Sequence, residues 1–324
     1  MHQQIIPAVV ILAFSAGCSS DPAASDAPTP ATQHRKAYVG LFGDQAVAVL
    51  DTVTQRVVKT IPVTAPDGLV ITPDGKKVYV SSTDSGSVKV IATGEDTLLA
   101  SIDVGAKPAG LAVTPDGTRV VVSVGGADET VIIDTSTDSV LKHVAVPAAH
   151  SSCITADGHW AYVASQATNA PAVVRVDLSG DAAPQAYPAD KSPRALACAA
   201  NAIYFTAVGL DAVEVMDPTT GTLGAPIETG GSPHDVRASG DAKFELVVSQ
   251  TAGDLEFIDP AANAVVSRVP TGKLAHWITV DPEAKVAYVT NEGDNNVVSV
   301  DLASQRVTAT IAIGNAPRKM ALQP

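Results

Sequence analysis

The chain has 324 residues, of which 46% are hydrophobic and 4% aromatic, with a formal net charge of −13. That is enough apolar material for a large core of Val, Ile, Leu and Ala, and the acidic balance disfavours a general nucleic-acid-binding surface, which needs a field of Lys and Arg. Length alone allows two domains, but one repeat runs through most of the chain and argues for a single closed ring.

In chain order, the first feature is an apolar run from Ile5 to Phe14, too short for an ordinary spanning helix. Ser15-Ala16-Gly17-Cys18 follows it, small residues before a Cys, and resembles a bacterial lipobox. The resemblance implies a signal peptide over residues 1–17, with Cys18 cleaved to the new N-terminus and lipidated. Position 15 is Ser where Leu is usual, and Met1-His2-Gln3-Gln4 lacks Lys and Arg, so a conventional secretory signal and a cytoplasmic chain stay open as alternatives. Residues 18–35 are mostly Ser, Ala, Pro, Asp and Thr; such a stretch cannot bury a core and reads as a flexible tether. The expectation is an exported protein, in the periplasm or at the cell surface, lipid-anchored to a bacterial membrane.

Residues 36–324 are the repeat. Tyr288 has counterparts at Tyr38, Tyr79, Val121, Tyr162, Tyr204 and Val247, at intervals of 41, 42, 41, 42, 43 and 41 residues. Asp301 has counterparts at Asp51, Asp134, Asp217 and Asp259, with Ala92 in one repeat and Asp177 slightly displaced in another. Each repeat holds four short runs of β-branched and apolar residues separated by polar turns, such as Thr72-Pro73-Asp74-Gly75 and Thr114-Pro115-Asp116-Gly117. Four strands in about 41 residues, seven times over, predict an all-β fold, a seven-bladed β-propeller. The first repeat starts at its second strand, and Ala316 to Leu322 matches the missing first one. The ring is therefore expected to close by pairing of the C-terminal strand into the N-terminal blade, which removes an exposed edge. No further domain is expected, and the closed ring is expected to be a monomer.

Ala287-Tyr288-Val289-Thr290-Asn291, with Asn295 to Asp301 and with Ala109 to Gly117, resembles the YVTN-repeat, YncE-like β-propeller family over all of residues 36–324. The resemblance implies an exported seven-bladed propeller. It implies little about function, because its members are mostly repeat-containing binding or surface proteins and similar folds host lactonases, lyases and cofactor enzymes.

Besides Cys18, only Cys153 and Cys198 remain. They occupy first strands of consecutive repeats, one residue out of register, which turns their side chains to opposite sheet faces. Two buried thiols are the expectation, with a disulfide as the alternative.

In a propeller the first strand of each blade lines the central channel. The residue after the strand-opening position, most often a Pro, reads in ring order Asp67, Ala109, His150, Arg194, His234, His276 and Arg318. Five consecutive positions are thus His, Arg, His, His, Arg, an anomaly in so acidic a chain. Side chains from different blades converge on the axis, so these residues can share a site. His150, His234 and His276 are candidate ligands for a divalent transition metal through neutral imidazole. Arg194 and Arg318, with Asp67 beside them, suit a small anionic ligand. A purely structural rim, hydrogen-bonded to loops and water, is the third reading. Asp235 and Trp277 follow two of the His; Trp277 is expected to pack between blades. His143 and His159 are expected at the surface, and Asp128, Glu129, Glu292 and Asp294 sit in turns on the ligand face. No G-x-S-x-G, C-x-x-C-H, H-E-x-x-H or Gly-rich phosphate loop is present.

The sequence therefore predicts a membrane-tethered, exported propeller that binds a ligand or an envelope protein at its channel face without catalysis. The alternative is a propeller enzyme, a metal-dependent lyase or lactonase using the His/Arg arc, and a third possibility is a scaffold that presents its loops to envelope proteins.

Overall fold

The structure, a computed structural model, describes Met1 and residues 35–241, 243–281 and 286–324. Cys18, the signal peptide and nearly all of the expected tether lie outside the described residues. From Lys36 onward the chain forms seven four-stranded antiparallel sheets. Six of them use consecutive strands. The seventh takes its innermost strand, Pro317–Leu322, from the C-terminus and its other three, Lys36–Leu41, Ala46–Asp51 and Arg56–Pro62, from the start of the propeller. The pairing is in register over Ala37 with Leu322, Tyr38 with Ala321 and Val39 with Met320. Arg35 fastens this closure, donating from Nε and Nη2 to Gln323 O and pairing through Nη1 with Asp281 Oδ2 at 2.8 Å.

The sheets stack face to face around the channel, and the apolar residues of one blade pack on those of the next. Val88 and Val90 of the second blade meet Val120, Val122, Val131 and Ile133 of the third. β-Branched side chains suit this arrangement because they are stiff and fit a pleated, doubly covered surface. The recurring Tyr has a physical purpose: its phenol crosses to the next blade. Tyr38 Oη donates to Asp96 Oδ1 and Tyr79 Oη to Asp138 Oδ1, each at 2.5 Å, while Lys36 and Lys77 bind the second oxygen of the same carboxylates. Tyr162 Oη donates instead to Pro218 O at 2.9 Å.

Each inner strand carries a break in register just after its first residue, as between Ala149 and Ser152 or Pro233 and Asp235. In six of the seven inlets the residue before the strand is a non-glycine in the left-handed region, for example Ala148 (φ 47°) and Ser232 (φ 58°). This costs on the order of 1 kcal/mol each and turns the chain sharply, so that the following side chains leave the sheet. Inner strands also approach closely: a Cβ on Gly110 would lie 2.7 Å from His150 O.

The structure corrects the reading of the two cysteines. Cys153 and Cys198 form a disulfide, with Cα atoms 5.6 Å apart. The offset does turn them to opposite faces, but in a ring of stacked sheets it is opposite faces of consecutive blades that meet. Cys153 packs on Leu196, Ile203 and Phe205 of the next blade, with Cys198 against the same cluster.

Candidate functional site

The inlet positions Asp67, Ala109, His150, Arg194, His234, His276 and Arg318 each stand second in, or at the equivalent point of, one of the seven inner strands. The register break beside each frees it from the sheet ladder. Around the ring they divide into two groups with different chemistry.

One group is paired. Arg318 donates from Nη1 to Asp67 Oδ1 at 3.1 Å, reaches Glu292 Oε1 with Nε at 3.6 Å, and lies over the Phe42 ring at 3.5 Å. His276 Nδ1 is 3.2 Å from Glu292 Oε2, within ion-pair reach but off the line of a good hydrogen bond. His276 beside it, and then the charge of Arg318, hold the Glu292 carboxyl below its ordinary range. Burial pushes Asp67 upward, but the charges of Lys319 and Arg318 outweigh it and leave that carboxyl below its ordinary range too. Glu292 comes from the turn after Val286–Asn291, where one acidic residue among several carries no mark in the sequence.

The other group is not paired. Arg194 stands between His150 and His234, and among the described residues no carboxylate reaches its guanidinium. Its Nε is buried without a hydrogen-bond partner, and burial alone draws its pKa down. His150 is pulled down to about 4 by burial and then by the charge of Lys319. Burial, followed by His276 and Arg194, carries His234 well below the ordinary imidazole value. Both are therefore neutral at pH 7. His150 Nδ1 lies 3.1 Å from Arg194 O and His234 Nδ1 lies 2.8 Å from His276 O. A carbonyl can only accept, so each Nδ1 carries the proton and each Nε2 keeps a bare lone pair. The result is one unneutralised fork of donors flanked by two acceptors.

His234 and His276 have ring centroids 4.1 Å apart, but His150 is tied to the Arg194 backbone. Among the described residues no three His, Cys, Asp or Glu are grouped to hold a metal ion. Trp277 packs between the last blade and the first, as expected. Asp235 is fully buried and accepts from Ile278 N at 3.0 Å and Arg237 Nε at 3.3 Å. His143 and His159 are on the surface, beside Glu129 and Asp157. Lys319, one residue past Arg318, escaped the sequence reading. It is 7% exposed, its Nζ lies 4.2 Å from the Trp277 ring centroid, and burial lowers its pKa against the opposing pull of Asp67. Its position next to an inlet residue was the available signal.

No protein-family model matches the chain, and no curated protein matches it in sequence. Solved structures do share its fold. A functionally unknown protein from Desulfotomaculum acetoxidans superposes with a TM-score of 0.77 at 14% identity, over 89% of this chain and 98% of that one. The periplasmic gluconolactonase PpgL of Pseudomonas aeruginosa gives 0.71 at 16% identity, over 90% and 99%. Apo AztD of Citrobacter koseri gives 0.65 at 16% identity, over 89% and 97%. Identities this low establish a common propeller fold and no more; the YVTN resemblance rests on the repeat pattern alone.

Proposed function

We propose that this propeller binds a small hydroxylated carboxylate at its inlet face and does not transform it. The observation that carries this is Arg194, a partly buried guanidinium with no anionic partner among the described residues, set between two neutral imidazoles that offer acceptors. An anion supplies the missing charge, and its hydroxyls donate to the Nε2 atoms of His150 and His234. Charge-assisted bonds to a desolvated Arg are worth about 1.5–3 kcal/mol. Calorimetry with gluconate, and with glucose as the uncharged control, tests this. Gluconate should bind, glucose should not, and Arg194→Met should weaken gluconate binding at least tenfold. Equal binding by the variant would remove the proposal.

A second reading has its own observation. Glu292 beside His276 Nδ1 can orient that imidazole as a general base, and a gluconolactonase is among the solved structures of this fold. Lactone hydrolysis lost in His276→Gln would favour it. Its metal-dependent form asks for bound metal in the purified protein, measured by elemental mass spectrometry.

The site works in an exported, monomeric, lipid-anchored protein on this proposal. A disulfide belongs to an oxidising compartment, and one neighbour is described as periplasmic, both in keeping with export. Incorporation of labelled palmitate that is abolished by Cys18→Ala tests the anchor.

A further inference from the structure

The channel has a second end, and its chemistry is unlike the first. The outlet halves of all seven inner strands line an open cavity of about 440 Å³. It is wide because several strands present small side chains to it, among them Ala112, Ala197 and Ala321, and one wall carries the Cys153–Cys198 disulfide. Its lining is mostly apolar, with Ser152 and Thr279 as its hydroxyl-bearing members and Arg237 as the one charged member. That guanidinium lies 4.0 Å from the Trp277 ring centroid and spends its Nε on the buried Asp235 at 3.3 Å. Its two Nη groups have no protein partner among the described residues.

We propose that this outlet cavity is a binding site for a small aromatic monocarboxylate, held by the Nη donors of Arg237 with its hydrocarbon against the apolar walls. The volume falls in the range of small-ligand pockets and admits a bicyclic ring system. An apolar wall around a single cation favours a ligand that is apolar except for one anionic end. The planar fork matches a carboxylate bidentately, and the low-dielectric surroundings strengthen that contact. A polyhydroxylated anion is disfavoured here, because beyond Ser152 and Thr279 the walls offer its hydroxyls few partners. The two ends of one channel thus select different anions.

The test uses the full chain with 2-naphthoate as probe and 2-naphthalenemethanol as its uncharged counterpart. Calorimetry should show saturable one-to-one binding of the acid and at least tenfold weaker binding of the alcohol. The indole N–H resonance of Trp277, identified by its survival in Trp160→Phe, should move on saturation. Arg237→Gln and the cavity-filling Ala112→Phe should each weaken binding at least tenfold. Arg194→Met should leave it unchanged, which separates this site from the inlet. The proposal is overturned by absence of saturation up to about 10 mM. It is equally overturned by binding that leaves the Trp277 resonance in place, which can be read in the unmutated chain even where a variant does not fold. Loss of binding in Arg194→Met with retention in Ala112→Phe would assign the probe to the inlet instead.

Discussion

The two halves of the inlet ring solve the same electrostatic problem in different ways. Where Arg318 points to the axis, the next inner strand supplies Asp67 and a neighbouring turn supplies Glu292. Where Arg194 does so, the next inner strand supplies His234, and among the described residues no carboxylate answers. One half is a finished ion-pair network; the other keeps its charge exposed to whatever enters. The open half is stapled by other means. Its fifth blade has an outermost strand of only two residues, Ile227–Glu228, and the disulfide joins that blade to the fourth. A buried cation without a counterion costs stability, so the open half reads as the functional one and the closed half as structural.

The most damaging way to break this contrast is to remove Asn315–Pro324. That deletes Arg318 and the inner strand of the first blade together, and cooperative thermal unfolding should disappear at room temperature. Replacing both Cys153 and Cys198 by Ser acts on the open half alone. The closed loop has a sequence separation of 45, and the loss should approach about 4 kcal/mol by denaturant unfolding. Acid should come next. His150 is neutral in the folded protein down to about pH 4, whereas an unfolded His takes up a proton near 6.5. Between those values only the unfolded chain binds the proton, so stability falls as pH drops, by about 3 kcal/mol for this residue. Burial pushes Glu245 up to about 7, which acts in the opposite sense. The His contribution is therefore read as the difference between the pH profiles of the unmutated chain and His150→Gln, the variant losing less stability as pH falls. Arg318→Met should cost about 2 kcal/mol, since it strands Asp67 and Glu292 at a partly exposed site. Arg194→Met should cost under about 0.5 kcal/mol or stabilise slightly, because no partner is left behind. If the two Arg variants were equally destabilised, the division of the ring into closed and open halves would be wrong.

Much of this was written in the sequence, because a propeller repeats its own geometry. The interval of 41 residues from Tyr38 to Tyr79 is the spacing of equivalent strands in consecutive blades, and the Pro-led strand starts mark the inlet positions in the sequence itself. Even the ring closure was legible, since Ala316 to Leu322 had no other place to pair. What the repeat could not convey was contact between blades. The offset between Cys153 and Cys198 turns them to opposite faces, and only the stacking of consecutive blades shows that those two faces meet. Glu292 looked like any turn carboxylate until its reach to His276 and Arg318 was visible. Lys319, Arg237 and the outlet cavity depend on how far side chains extend toward an axis that no local pattern describes.

The borrowed strand also sets an order of events. Arg35 and Gln323, which clasp one another, are 288 residues apart. Six blades can form from neighbouring segments, but the first stays one strand short until Pro317–Leu322 has been made. A chain still in synthesis therefore carries an open sheet edge at its beginning, and the last step of folding is the closing of one long loop. Such loops close slowly and gain nothing until they meet, so the chain's earliest strands remain available to the wrong partner for longest.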